Sequence, residues 1–270
     1  MRLRATRATV ATATAAALSA ALAVTALAAP AAGADQDDSA SKFSNFDINH
    51  DWKSYTVGVE AAKKRAIPIS ATVTDPSGIK SVSFELRHGD DPATADGMIT
   101  APATCHAINE ITSWCEALLY ADPKANFRSN AFAGLWLLSS TAVDGDGNVT
   151  RSDGLDTATF AWIKRTTYMT QTDATPEPVT KGKNLTVKAQ MTVASWEKNA
   201  NVPLIGHQVL LQYRKGTSGA FVTLQKIKTD RNGWAKATVK ATADGAYRYT
   251  FAGTKLTLPA AGWTDYVDVK

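Results

Sequence analysis

Ile67 to Leu86 reads IPISATVTDPSGIKSVSFEL, and its rhythm decides the fold class. Ile67, Ile69, Ala71 and Val73 occupy every second position, with Pro68, Ser70 and Thr72 between them. Asp75-Pro76-Ser77-Gly78 follows as turn chemistry. Val82, Phe84 and Leu86 then resume the alternation against Ser81, Ser83, Glu85 and Arg87. A strand turns successive side chains to opposite faces, whereas a helix needs apolar spacing of three and four, which is absent here. The stretch therefore predicts two strands joined by a turn. Pro68 has no N–H to give a neighbour, which predicts an edge position for the first of them.

The same pattern extends along the chain. Ala133 to Val143 is a long apolar strand closed by Asp144-Gly145-Asp146-Gly147-Asn148, and Ala158 to Ile163 is another. Lys164 to Pro178 is rich in Thr and Pro and marks a domain boundary. Beyond it, Leu185, Val187, Ala189, Met191 and Val193 alternate, as do Val209, Leu211 and Tyr213, then Val222 and Leu224. Ala235, Ala237, Val239 and Ala241 follow the turn Asp230-Arg231-Asn232-Gly233, and Tyr247, Tyr249 and Phe251 follow Asp244-Gly245. Short strands punctuated by turns at this frequency predict an all-β protein of two tandem immunoglobulin-like β-sandwich domains, over residues 43–165 and 166–270.

Residues 1–34 are set apart from that reading. Arg2, Arg4 and Arg7 form a positive head, Ala15 to Ala29 an apolar stretch, and Ala32-Gly33-Ala34 a small-residue cleavage site. This is the layout of a cleaved secretory signal peptide, so the expected location is secreted and extracellular. Residues 35–42, DQDDSASK, are polar and acidic and read as a flexible tail. The chain carries 29 basic and 25 acidic residues; without the three leader arginines the net charge falls to +1. That balance argues against a nucleic-acid partner, and nothing in the mature chain reads as a membrane span.

Two stretches carry a resemblance. ATVTDPSGIKSVSF and GLWLLSSTAVDGDGNVT resemble bacterial immunoglobulin-like or fibronectin-like domains. The second half, from VTKGKNLTVKAQMT to YVDVK, resembles a domain of secreted actinobacterial proteins. The resemblance implies a sandwich fold and an exported protein, and no particular reaction.

Cys105 and Cys115 lie ten positions apart. In an exported chain they predict a disulfide around HAINEITSW that pins an insertion, Gly89 to Pro102; a redox pair would favour closer spacing. Asp144, Asp146 and Asn148 alternate as calcium oxygens could, but Val149 stands where the EF-hand loop needs Gly and Leu155 where it needs Glu, so a tight turn is the favoured reading. Trp136 and Trp162 read as core. Trp196 and Trp234 are expected to face outward as a binding pair, in the manner of indoles that stack on sugars.

Catalytic equipment is absent from the motifs. His50, His88, His106 and His207 are scattered, and no nucleophile elbow, phosphate loop or dinucleotide fingerprint occurs. Glu110 and Glu116 are the one candidate carboxylate pair. The expectation is a non-catalytic binding module contacting an extracellular protein, envelope polymer or polysaccharide through Gly89 to Cys115, the Trp196–Trp234 surface or an exposed strand edge. A calcium-stabilised structural module and a hydrolase with an unrecognised site are the alternatives.

Overall fold

The protein, seen in a computed structural model, is described over residues 40–49, 55–154 and 159–270. The expected leader, the first five residues of the expected tail, His50, Leu155 and Ala158 lie outside them.

The first sandwich comprises Lys42–Ile48 (β1), Thr56–Val59 (β2), Arg65–Thr74 (β3), Ile79–His88 (β4), Met98–Pro102 (β5), Thr104–Ala107 (β6), Thr112–Ala121 (β7), Gly134–Asp144 (β8), Val149–Ser152 (β9) and Phe160–Arg165 (β10). One sheet runs β1-β3-β7-β6; the other runs β2-β10-β8-β4-β5, with β9 also on β8. β1 lies on one sheet, antiparallel to β3, and β2, the next described strand, lies on the other, parallel to β10. That split first strand and the two sheets facing each other are the immunoglobulin-like arrangement. Ile67, Ile69, Ala71 and Val73 from one sheet meet Val82, Phe84, Leu86 and Trp136 from the other in a single buried cluster.

The second sandwich comprises Thr167–Met169 (β11), Asp173–Thr175 (β12), Asn184–Ser195 (β13), Ala200–Pro203 (β14), Gln208–Lys215 (β15), Val222–Lys228 (β16), Trp234–Lys240 (β17), Gly245–Phe251 (β18), Ala260–Ala261 (β19) and Asp265–Val267 (β20). β13 is the spine of one sheet, with β11 and β12 on one edge and β14 and β17 on the other. The facing sheet runs β16-β15-β18-β19, with β20 also on β18. Leu185, Val187, Ala189, Met191 and Val193 pack against Val209, Leu211, Tyr247 and Tyr249, as their alternation requires.

Four expectations change. β3 is internal, between β1 and β7. Pro68 is tolerated because its carbonyl, and hence its missing N–H, faces β1 where that strand ends; Asn49 N donates to Pro68 O at 2.7 Å. The last residues of the expected tail belong to the sandwich, because Ser41 is buried, its hydroxyl donates to Asp75 Oδ2 at 2.8 Å, and Lys42 opens β1. The insertion Gly89 to Pro102 contains β5, paired with β4. Trp162 is half-buried, since Ala161 and Ile163 take the inward parity of β10.

The Thr- and Pro-rich stretch is part of the fold. One residue, Thr166, separates β10 from β11, and it is bonded on both sides: its N–H donates to Val59 O at 3.1 Å and its carbonyl accepts from Ala194 N at 2.8 Å. Arg165 Nε donates to Ala194 O at 2.6 Å, and Lys164 Nζ to Thr254 O at 3.0 Å. The side chain of Asn130 donates to Ser195 Oγ and accepts from Trp196 N. These contacts leave no free linker between the sandwiches, and the described residues lie in one compact unit.

Candidate binding surface

β7 has the sequence TSWCEALLYA and presents two apolar faces. Ser113, Cys115, Ala117, Leu119 and Ala121 point into the core; Trp114, Glu116, Leu118 and Tyr120 point outward. Leu118 is 51% exposed, and Trp114 and Tyr120 are exposed as well. From Trp114 to Tyr120 the strip runs about 20 Å along the strand. Ile108 and Ile111, exposed in the hairpin before β7, extend it.

Its neighbours fix the strip in place. The ring of His106 stacks on Trp114 with centroids 5.6 Å apart, and Lys64 Nζ lies 4.2 Å from the Tyr120 ring. On β3, Thr72, Ser70, Pro68 and Ala66 stand opposite Trp114, Glu116, Leu118 and Tyr120, all small enough to leave the strip uncovered. β6 pairs β7 only from Ser113 to Glu116; among the described residues no strand pairs the edge beyond Glu116, where Tyr120 O accepts from Asn126 Nδ2 at 2.9 Å. Beside it lies a concavity of about 410 Å³, lined by Pro102, Thr104, Glu116 and Leu118 among others. An exposed apolar strip next to an open strand edge can take up an extended segment by main-chain hydrogen bonds and side-chain packing.

Cys105 and Cys115 form the expected disulfide. They are direct partners in the β6–β7 ladder, so the bond pins β6 to β7, next to the strip, rather than the stretch from Gly89 to Pro102.

Trp196 and Trp234 do not form an outward pair. Trp196 is fully buried in the core of the first sandwich, in edge-to-face contact with Phe127, and its Nε1 donates to Val59 O. A polar sequence context misled here, because Trp196 lies beyond the end of β13 where the two sandwiches meet. Trp234 is 37% exposed, outward of Ala235 and Ala237, as its parity requires.

Asp144, Asp146 and Asn148 form a turn. Asp144 is buried; its Oδ1 accepts from Asn148 N at 2.8 Å and its Oδ2 from Asn148 Nδ2 at 2.9 Å, while Asp146 is exposed. Both carboxylate oxygens of the only buried member are thus engaged within the turn. Glu110 is exposed, and Glu116 lies 3.6 Å from His106 Nε2. His88 Nδ1 lies 2.5 Å from Asp96 Oδ1, with its ring against Trp136 and Phe132. Among the described residues no three His, Cys, Asp or Glu side chains gather as a metal-holding group, and no helix is long and apolar enough to cross a membrane.

The expected contact region Gly89 to Cys115 takes in Trp114 of the β7 strip and stops short of Leu118 and Tyr120. Leu118 and Leu119 are adjacent, so apolar residues fall on both faces and the alternation is masked. The inward set Cys115, Ala117, Leu119 and Ala121 was the signal available.

No family model and no curated protein matches the chain. Solved structures similar to it include dimeric latent PorU from Porphyromonas gingivalis (14% identity, 86% of this chain and 20% of that one, TM-score 0.30). Red sea bream transglutaminase (11% identity, 84% and 31%, TM-score 0.30) and the D00-D0 domain of intimin (13% identity, 84% and 99%, TM-score 0.27) are others. The chain thus spans about a fifth and a third of the first two.

Proposed function

We propose that the protein is a secreted, non-catalytic binding module that holds an extracellular protein partner on the outer face and open edge of β7. The observation that carries this reading is the uncovered row Trp114, Leu118 and Tyr120 beside a strand edge that β6 leaves unpaired. Large exposed apolar side chains in line on a rigid sheet mark contact surfaces, because water around them is released on docking. The close coupling of the two sandwiches through Thr166 and Trp196 supports the reading, since a rigid support orders fewer groups when a partner binds. The leader layout and the resemblance of the second half to secreted actinobacterial proteins support export.

The test is retention from the spent medium and envelope fractions of the producing cells on the immobilised chain. A retained protein that is lost with both Leu118→Asp and Trp114→Ala, at unchanged melting temperature, supports the assignment. No retained protein, or retention indifferent to both substitutions, overturns it.

A further inference from the structure

We infer that the outer face of the second sandwich carries a separate site for an acidic glycan, formed by Arg214, Phe221, Arg248 and Trp263. This goes beyond the β7 reading and does not depend on it.

Arg214 and Arg248 project from the outer face of adjacent strands. Gln212 stands opposite Arg248 and Arg214 opposite Ala246, so the two arginines are diagonal neighbours. Their guanidinium carbons lie 4.8 and 3.8 Å from the centroid of one ring, Phe221. Among the described residues neither takes part in a salt bridge. Arg248 Nε donates to Gln212 Oε1 at 2.9 Å, whereas Arg214 Nε is buried with no acceptor. Asp265, the ladder partner of Tyr247 on the neighbouring β20, uses Oδ2 to accept from Ala174 N. Two like charges held on one ring, with no salt-bridge partner among the described residues, repel each other, and an incoming anion relieves that repulsion.

Trp263 supplies the other half of the site. It is 82% exposed, the most uncovered of the large apolar side chains among the described residues, and it borders an open concavity of about 460 Å³ that also contains Arg214, Phe221 and Arg248. An indole offers a flat face to the apolar side of a pyranose ring. A guanidinium fork takes a carboxylate by two parallel hydrogen bonds. A uronic-acid residue carries both features on one ring, and an open concavity admits it within a chain. Two guanidinium groups would neutralise about two phosphates, far fewer than the roughly six to ten that hold a duplex-binding protein, so the site favours a glycan over nucleic acid.

The experiment titrates the full chain with polygalacturonate at low salt, following tryptophan fluorescence and heat, with dextran and oligothymidylate as parallel probes. Binding of polygalacturonate that weakens with salt is expected, with no binding of dextran. Affinity should fall about tenfold or more in Arg248→Gln and in Trp263→Ala, each the loss of one charge-assisted or stacking contact. Trp263 is exposed enough that its removal leaves the fold intact, which unchanged melting would verify. Leu118→Asp, on β7, should bind polygalacturonate as the unaltered chain does. No binding, equal binding of dextran, tighter binding of oligothymidylate, or affinity lost in Leu118→Asp and kept in the other two would overturn the site.

Discussion

The indole Nε1 of Trp196 donates to the carbonyl oxygen of Val59 at 3.3 Å, joining residues 137 positions apart in a fully buried contact. Trp196 leaves the spine strand of the second sandwich and completes the core of the first. Replacing it by Ala removes a large buried ring from that core and is expected to cost about 3–5 kcal/mol. Chemical denaturation should show the two sandwiches unfolding in one transition in the unaltered chain. In Trp196→Ala the first sandwich should unfold at lower denaturant than the second.

Reduction, or Cys105→Ala with Cys115→Ala, opens a ring of the chain between β6 and β7. The loss of loop-closure constraint is expected to lower stability by about 2–3 kcal/mol. Because the bond pins the strand that partly covers the edge of β7, amide exchange at Ser113 to Glu116 should rise most.

Asp75 gathers three elements. Its Oδ1 accepts from Ser77 N and Ser77 Oγ and its Oδ2 from Ser41 Oγ, while its own N–H donates to Ile111 O. Burial alone would raise its pKa, but the Ser77 and Ser41 hydrogen bonds outweigh burial and hold it below the usual carboxylate range. A carboxyl with a lowered folded-state pKa contributes stability at and above about pH 4, the unfolded value, and that stability is lost as pH falls through the folded value. Asp75→Asn should flatten this acid limb in melting curves taken from pH 6 downwards, and at neutral pH should cost about 1–3 kcal/mol.

Gly145 has no room for a side chain. A Cβ there would stand 2.1 Å from Ser77 O, a backbone atom that cannot swing away. Gly145→Ala is expected to cost more than about 2 kcal/mol, by prising apart the β3–β4 and β8–β9 turns where Gly145 N donates to Gly78 O. Asn148→Ala removes the Nδ2 donor to the buried Asp144 Oδ2, leaves the backbone N–H on Oδ1, and should destabilise by about 1–3 kcal/mol. Calcium titration of the unaltered chain should leave the melting temperature unchanged, since the Asp144 oxygens already accept from Asn148.

Sequence alone determined the all-β class, most long strands and the disulfide. Alternation at Ile67 to Val73, Leu185 to Val193 and Tyr247 to Phe251 is a local property, and a strand with one buried face writes it directly into the chain. Two cysteines in an exported-looking chain needed only an oxidising compartment and a turn between them. Tertiary structure decided what the surface carries. Trp196 is core because a second sandwich stacks there, and no local rule reports that. β3 is internal despite Pro68 because β1 happens to end beside the missing N–H. β7 becomes a candidate contact strand because β6 is short, and Arg214 meets Arg248 only because β15 pairs with β18. Each of these depends on which distant segment lies alongside, a relation set by packing and absent from any single stretch of residues.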